Sequence, residues 1–325
     1  MIDVVIPAHK KDIDTLDLCI EGIRKNVKNV NRIIVVSKEK LTDKAEFYCE
    51  EKFPFSVEDV GNIVGFHSKT FNYYGGLIQT TCAMVIPDLS RDVLVCDADT
   101  IFLKETEFVT EGDIALFNVS YDVPKNVKNH PYIEHLTKLI PGLTRETEYS
   151  GICHHMLIQS DILKHMAEKV EQIHNMPFWK ADIYVTRQEY DCLPKPKPTH
   201  DKLPLLFTTY ELYFNYAIKY FPERVAIRPQ KSILAYKGKM GVEGENILNF
   251  PSRTNLAGNV QIIPKEEESK YSFDSFTESC EFISKRCAEL GWDAVTFQNH
   301  SRIGSDEHKR LCKEEIDEIY RNSEG

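Results

Sequence analysis

Apolar and polar positions along this chain fall into two kinds of block. Short continuous apolar runs at Ile2 to Ile6, Arg32 to Val36 and Val93 to Cys96 predict buried strands, the first closed by Pro7. Between the first two, Ile13, Leu16, Ile20, Ile23 and Val27 recur at spacings of three and four, which predicts a helix with one buried stripe after a cap at Asp12 or Asp14. Further along, the pattern predicts a helix over Thr42 to Lys52 and a strand over Phe55 to Val60, ending near Glu58 and Asp59. Gly61 to Gly76 reads as a loop, and Gly76 to Ile86 as a helix stopped by Pro87. Strands alternating with helices, the strands continuously apolar, predict an α/β fold with a largely parallel sheet. Ligands of such sheets bind beyond the carboxyl ends of the strands.

The second half is less regular. Asp113 to Phe117, His155 to Gln159, Arg224 to Ile227 and Ser232 to Tyr236 read as strands. Asp161 to His174 and the aromatic-rich Thr208 to Tyr220 read as helices, and Leu193 to Pro204 as a surface loop or bend. Gly238, Gly241, Gly244 and Gly258 give the stretch after Tyr236 a mobile-loop composition suited to an active-site lid. A helix starting at Ser272 or Asp274 runs through Cys280, Ile283 and Cys287 and closes at Gly291, and a charged helix follows at about Asp306 to Tyr320.

Composition narrows the classes. The formal charge of −10 over 325 residues argues against a general nucleic-acid binder, which would carry a basic face. No stretch approaches the ~18 consecutive apolar residues of a membrane span. The first residues run straight into a strand without the charged and apolar regions of a signal peptide. The nine cysteines are scattered, with no CxxC pair, so the expectation is reduced thiols in a cytoplasmic compartment and no cysteine zinc site.

The chemistry concentrates at Asp97-Ala98-Asp99. Two carboxylates at the carboxyl end of a buried strand make a hard-oxygen site for a divalent cation such as Mn2+ or Mg2+, which would most naturally hold a diphosphate. The plain alternative is a turn, where Asp is common. Pro7-Ala8-His9-Lys10 closes the first strand at the same end of the sheet.

The strand and turn VVIPAHKKD, followed by a strand ending in Asp-x-Asp, resembles the nucleotide-sugar glycosyltransferases of the GT-A fold. The stretches Ser150 to Met156 and Thr209 to Tyr213 resemble a branch of that superfamily known as a DUF6492-type domain. The resemblance covers roughly residues 1 to 236 and implies a Rossmann-like mixed, mostly parallel sheet with a helical C-terminal extension. It implies a catalytic domain over residues 1–264, in which 1–110 bind the nucleotide-sugar and 111–264 the acceptor, with a flexible loop at 237–258 and the extension at 265–325. It also implies a UDP-sugar or GDP-sugar donor, a metal on Asp97 and Asp99, with Asp99 the better direct ligand and Asp97 alternatively touching the ribose or reaching the metal through water, and a glycan, protein or small-molecule acceptor.

Other residues follow from that resemblance. Pro7, Ala8, His9 and Lys10 would lie against the base and ribose, with Glu58 or Asp59 as a further contact from the next strand end; the alternative is a plain connection with solvated charges. His154 and His155 are adjacent, so in a strand they face opposite sides and at most one easily reaches the metal. Glu211, in an aromatic helix, would have a raised pKa and take a proton from an acceptor hydroxyl in an inverting reaction; its alternative is favourable placement near a helix start. Lys237 and Lys239 would close onto the diphosphate or stay solvated. Trp179, near Asp182, offers a sugar-stacking surface or a core residue.

Two rivals share the fold. A sugar nucleotidyltransferase would want a GxGxR-type phosphate loop where this chain has PAHKKD. A catalytically inactive binding module is opposed by the intact Asp97, Asp99 and Glu211.

Overall fold

The computed structural model describes residues 1–65, 70–120, 131–192, 210–228, 230–236, 252–254, 259–260, 262, 271, 273 and 275–298. The first elements are β1 (Ile2–Pro7), α1 (Ile13–Asn26), β2 (Val30–Ser37), β3 (Glu46–Cys49), α2 (Val57–Val64), α3 (Thr70–Val85), β4 (Asp92–Cys96), β5 (Thr100–Phe102) and β6 (Ala115–Phe117). Then come α4 (Pro131–Leu139), β7 (His155–Gln159), α5 (Ser160–His174), α6 (Phe178–Asp191), α7 (Tyr210–Tyr220) and β8 (Val225–Ile227). The rest are β9 (Ser232–Tyr236), β10 (Ser252–Thr254), β11 (Asn259–Val260), α8 (Phe276–Glu289) and β12 (Ala294–Gln298). The architecture is mixed α/β, with a mostly parallel central sheet flanked by helices.

The chain divides into two compact units built from interleaved stretches: Met1–Ala8, Lys28–Asp97 and Glu107–Pro229 form one, and His9–Val27, Ala98–Thr106 and Gln230–Gly325 the other. The first holds the central sheet, in the order β3-β2-β1-β4-β7. Its first four strands run parallel, and β7 adds antiparallel to β4. Val4 and Val5 of β1 and Val93, Leu94 and Val95 of β4 are fully buried. Burial on both faces is why these strands read as continuous apolar runs rather than alternating ones. Helix α3 packs on β1, and α5 on β7.

Three local expectations are corrected. Thr42 to Lys52 is not a helix; it contains strand β3, which pairs with β2 while Arg32 grips Glu46 at 3.0 and 2.7 Å. Sheet pairing overrides a helical composition here. Phe55 to Val60 is not a strand, because Ser56 opens helix α2 with a capping box: its hydroxyl accepts from Asp59 N at 3.1 Å and its own N donates to the Asp59 carboxylate at 2.8 Å. The expected loop from Gly61 to Gly76 holds the end of α2 and the start of α3, glycines being tolerated in both helices.

The second unit carries a sheet in the order β11-β10-β9-β12-β5, with β12 parallel to β9 and the other pairs antiparallel. Its core gathers Ile101, Ile233, Cys280, Ile283, Val295 and Phe297. Helix α1 packs against β5 and α8. The stretch expected to be a helical extension does hold α8, capped by the Ser275 hydroxyl on Glu278 N at 3.1 Å. It also holds β12, an interior strand that the sequence pattern did not reveal. Lys237 and Lys239, and the charged helix expected at 306–320, lie outside the described residues. The eight described cysteines are free thiols. No described helix is long and apolar enough to cross a membrane.

Helices α4 and α6 of the first unit are joined by a buried ionic cluster. His135, with no exposed surface, binds Asp182 through Nε2 at 2.6 Å and Glu189 through Nδ1 at 3.1 Å, while Lys138 reaches Glu189 at 3.0 Å. Two carboxylates on the two ring nitrogens require an imidazolium, since only that form donates from both. Burial alone would push the imidazole down, but the hydrogen bonds it donates to Asp182 and Glu189, together with their charges, outweigh it and raise His135 to about 9. The stabilisation this gives is complete below the ordinary histidine value of 6.5 and is lost as pH rises through about 9. His135→Leu, which leaves buried Asp182 without its cation and Glu189 with Lys138 alone, is expected to lower stability at pH 7 by about 3–5 kcal/mol. Urea denaturation from pH 6 to pH 10 checks this: the gap between wild type and variant should narrow as the pH rises, and a constant gap would refute the charged imidazole.

Candidate functional site

The carboxyl ends of β1 and β4 lie side by side, because the two strands pair in parallel with Val5 opposite Val95. Pro7 and Ala8 close one strand and Asp97 the other, all half-buried. Ala8 N stays tied to the sheet, donating to Val36 O at 2.9 Å. The antiparallel strand β7 begins where β4 ends, Cys96 facing His155. One residue further, Asp97 N donates to His154 O at 2.9 Å. Antiparallel pairing therefore brings His154 to Asp97 across 57 residues of chain.

Three side chains converge on the Asp97 carboxylate. Gln79 of α3 donates Nε2 to Oδ1 at 2.7 Å, His154 Nδ1 lies 3.1 Å from Oδ2, and the Tyr210 hydroxyl approaches Oδ1 at 3.5 Å. A carboxylate only accepts, so the His154 Nδ1 carries the hydrogen in this contact. Burial and the nearby Asp97 charge push the Tyr210 phenol well up, which keeps it a donor. The Asp97 side chain remains 25% exposed and that of His154 20%. The acid is thus fixed in direction yet open to a ligand. His154 sits in the left-handed region at φ +61°, which costs a non-glycine residue roughly 1–2 kcal/mol. The bond from Asp97 N to its carbonyl and the pairing of His155 with Cys96 hold it there.

His155, the first residue of β7, turns away from Asp97. It is buried, bonded to the Asn118 amide and edge-on to Phe108 with ring centroids 5.6 Å apart. Arg228 donates to the same Asn118 at 2.8 Å. His155 is therefore a core residue beside the site, not a second ligand. Asp99 is half-buried and belongs to the second unit, where its carbonyl accepts from Phe297 N at 3.0 Å. Among the described residues, no three His, Cys, Asp or Glu side chains gather into a metal-binding group.

Several expected contacts take other roles. His9 and Lys10 are exposed and belong to the second unit, where His9 caps a turn by accepting from Lys11 N at 3.3 Å. Asp59 is not at a strand end; its carboxylate is held by Ser56 inside the capping box of α2, and Glu58 beside it is exposed. Trp179 packs on Phe55 with ring centroids 5.6 Å apart, and Asp182 belongs to the His135 cluster.

Glu211 is fully buried in the first turn of α7. Its Oε2 accepts from Ser150 Oγ at 2.7 Å and Gly151 N at 2.9 Å, and its Oε1 from Asn215 Nδ2 at 3.2 Å. Burial pushes its carboxyl up, as expected, while the three donors pull against that shift. A sealed carboxylate with both oxygens occupied does not face an acceptor hydroxyl, which departs from the expected general base.

Sequence reasoning missed Gln79 and the hydroxyl of Tyr210. Gln79 was open to notice: it is the one long polar side chain in the run Gly75 to Val85. Tyr210 looked like one more packing aromatic.

No family model matches the chain, and no curated protein matches it. Among solved structures it is similar to the galactosyltransferase LgtC in complex with donor and acceptor sugar analogues, at 11% identity and a TM-score of 0.41, over 89% of this chain and 96% of that one. It is similar to mouse xyloside xylosyltransferase 1 in its apo form, at 11% identity and a TM-score of 0.33, over 70% of this chain and 85% of that one. The apo bifunctional glycosyltransferase WbbM shows 13% identity and a TM-score of 0.38, over 91% of this chain and 45% of its own. Likeness this distant sets no activity, so the side chains around Asp97 have to be weighed for themselves.

Gly151 makes the tightest packing point near the site. A Cβ there would stand 2.6 Å from both Cβ and Cγ of Phe214. Gly151→Ala is expected to destabilise the protein by about 1–3 kcal/mol through overpacking. A urea midpoint unchanged from wild type would show that α7 yields at Phe214.

Proposed function

We propose that this chain is a metal-dependent glycosyltransferase of the GT-A type, moving a sugar from a UDP- or GDP-linked donor to an acceptor hydroxyl. The observation that carries this is Asp97: a part-exposed carboxylate at the carboxyl end of β4, beside the end of β1, aimed by Gln79 and His154. That end of a parallel sheet is where α/β folds take their ligands.

Asp97 and Asp99, each taken by itself, have the chemistry of a ligand to a hard divalent cation. Both are half-buried carboxylates, and magnesium or manganese needs only one or two of these when substrate phosphates complete the coordination. Bound there, the ion would neutralise the charge that develops on the departing diphosphate. The acceptor hydroxyl oxygen attacks the anomeric carbon as the bond to the diphosphate oxygen breaks, and the hydroxyl proton passes to the departing diphosphate. The chain's own contribution is preorganisation: Gln79 and His154 hold the two oxygens of Asp97 at 2.7 and 3.1 Å, so the carboxylate need not reorient as charge shifts. The half-buried end of β1 at Pro7 and Ala8 offers backbone to the nucleoside.

A screen of UDP- and GDP-sugars for slow donor hydrolysis with manganese tests the proposal. Asp97→Ala is expected to lower turnover by about 10²–10³-fold, the loss typical of one preorganised electrostatic group. Gln79→Ala, which frees one oxygen of the same acid, should cost less, about tenfold. Hydrolysis that survives Asp97→Ala at the wild-type rate would remove Asp97 from the reaction.

A further inference from the structure

We infer that Glu211 is a positioning residue, a buried clamp on the turn that delivers His154 to Asp97; the inference rests on the role proposed above for Asp97. One Glu211 oxygen takes both the Ser150 hydroxyl at 2.7 Å and the Gly151 N–H at 2.9 Å. Ser150 Oγ in turn accepts from Ile152 N at 3.3 Å, so the carboxylate organises three consecutive residues. The backbone of Ser150 is pinned separately, exchanging two hydrogen bonds with Ser120 at 2.8 and 2.9 Å.

The same face of α7 supplies the remaining contacts. Phe214 closes over Gly151 and leaves no room for a side chain there. Asn215 donates to Glu211 Oε1 at 3.2 Å while accepting from Glu146 N at 2.9 Å. Three residues beyond Gly151 the chain reaches His154 in its left-handed conformation, with its carbonyl on Asp97 N and its ring on the Asp97 carboxylate. An apolar residue in place of Glu211 would leave the Gly151 N–H and the Ser150 hydroxyl buried without an acceptor. Glutamine keeps one acceptor oxygen for the Ser150 hydroxyl and the Gly151 N–H, although its amide nitrogen then meets the Asn215 amide nitrogen donor to donor, so it should preserve the hold on Ser150 and Gly151 and lose only the Asn215 contact.

Amide hydrogen exchange and donor-hydrolysis kinetics on Glu211→Ala and Glu211→Gln test this, each also in a His154→Ala background. In Glu211→Ala, exchange at Gly151, Ile152 and Asp97 should quicken by about tenfold or more, while Glu211→Gln stays close to wild type. Hydrolysis kcat/KM should fall about tenfold in Glu211→Ala and less than about threefold in Glu211→Gln. With His154 already removed, Glu211→Ala should cost under about twofold, because both residues act through one path.

A Glu211→Gln variant as damaged as Glu211→Ala, with slow exchange retained, overturns the clamp in favour of proton transfer. Losses that simply multiply in the double variant overturn it too, as does an Asp97 amide that does not respond to Glu211→Ala. If wild type hydrolyses no sugar nucleotide, the glycosyltransferase proposal fails, while the exchange data still decide the clamp. Should Glu211→Ala not fold, Ser150→Ala removes one donor, and unchanged exchange at Ile152 and Asp97 would overturn the inference.

Discussion

The candidate site depends on one pairing: the antiparallel addition of β7 to β4. A fifth parallel strand would have placed its own carboxyl end beside Asp97 and its first residues at the far side of the sheet. Reversing that strand instead puts its beginning there, and with it His154. The reversal also means that the segment leading into β7 must turn at the ligand-binding end of the sheet. A left-handed histidine, a glycine with no room for a side chain and a serine bonded to a buried carboxylate all occur within five residues of that turn.

Electrostatic design in the first unit follows two different rules. At Asp97 a carboxylate is held by an amide and an imidazole N–H and left partly open, so its charge remains available to a ligand. At His135 the charges are sealed and compensate one another, and they tie α4 to α6. Glu211 lies between these cases: it is sealed like the His135 cluster but hydrogen-bonded by hydroxyl and amide donors. Burial and the kind of partner together therefore separate the part-open Asp97 from the acids that hold the frame.

Much of the frame was legible along the chain. The apolar runs of β1, β2 and β4 and the three-four spacing of α1 reflect burial on both strand faces and on one helix face, which are local signatures. The capping box at Ser56 and Asp59 was equally local, and attention to it would have turned the expected strand into helix α2. Strand β3 was not legible, because its stability comes from β2 and from Arg32 on Glu46, partners that lie outside its own residues. Strand β12 was hidden for the same reason: it is short and is defined by β9 on one side and β5 on the other.

By itself, the amino-acid sequence determined an α/β frame and an acid at the carboxyl end of a buried strand, because strand burial and strand ends are written in neighbouring residues. Only the tertiary structure decided that His154, Gln79 and Tyr210 meet at Asp97, and that Glu211 turns inward to Ser150 and Gly151. Those contacts join residues far apart in the chain. Their geometry is set by strand direction and helix packing, neither of which any local stretch of sequence encodes.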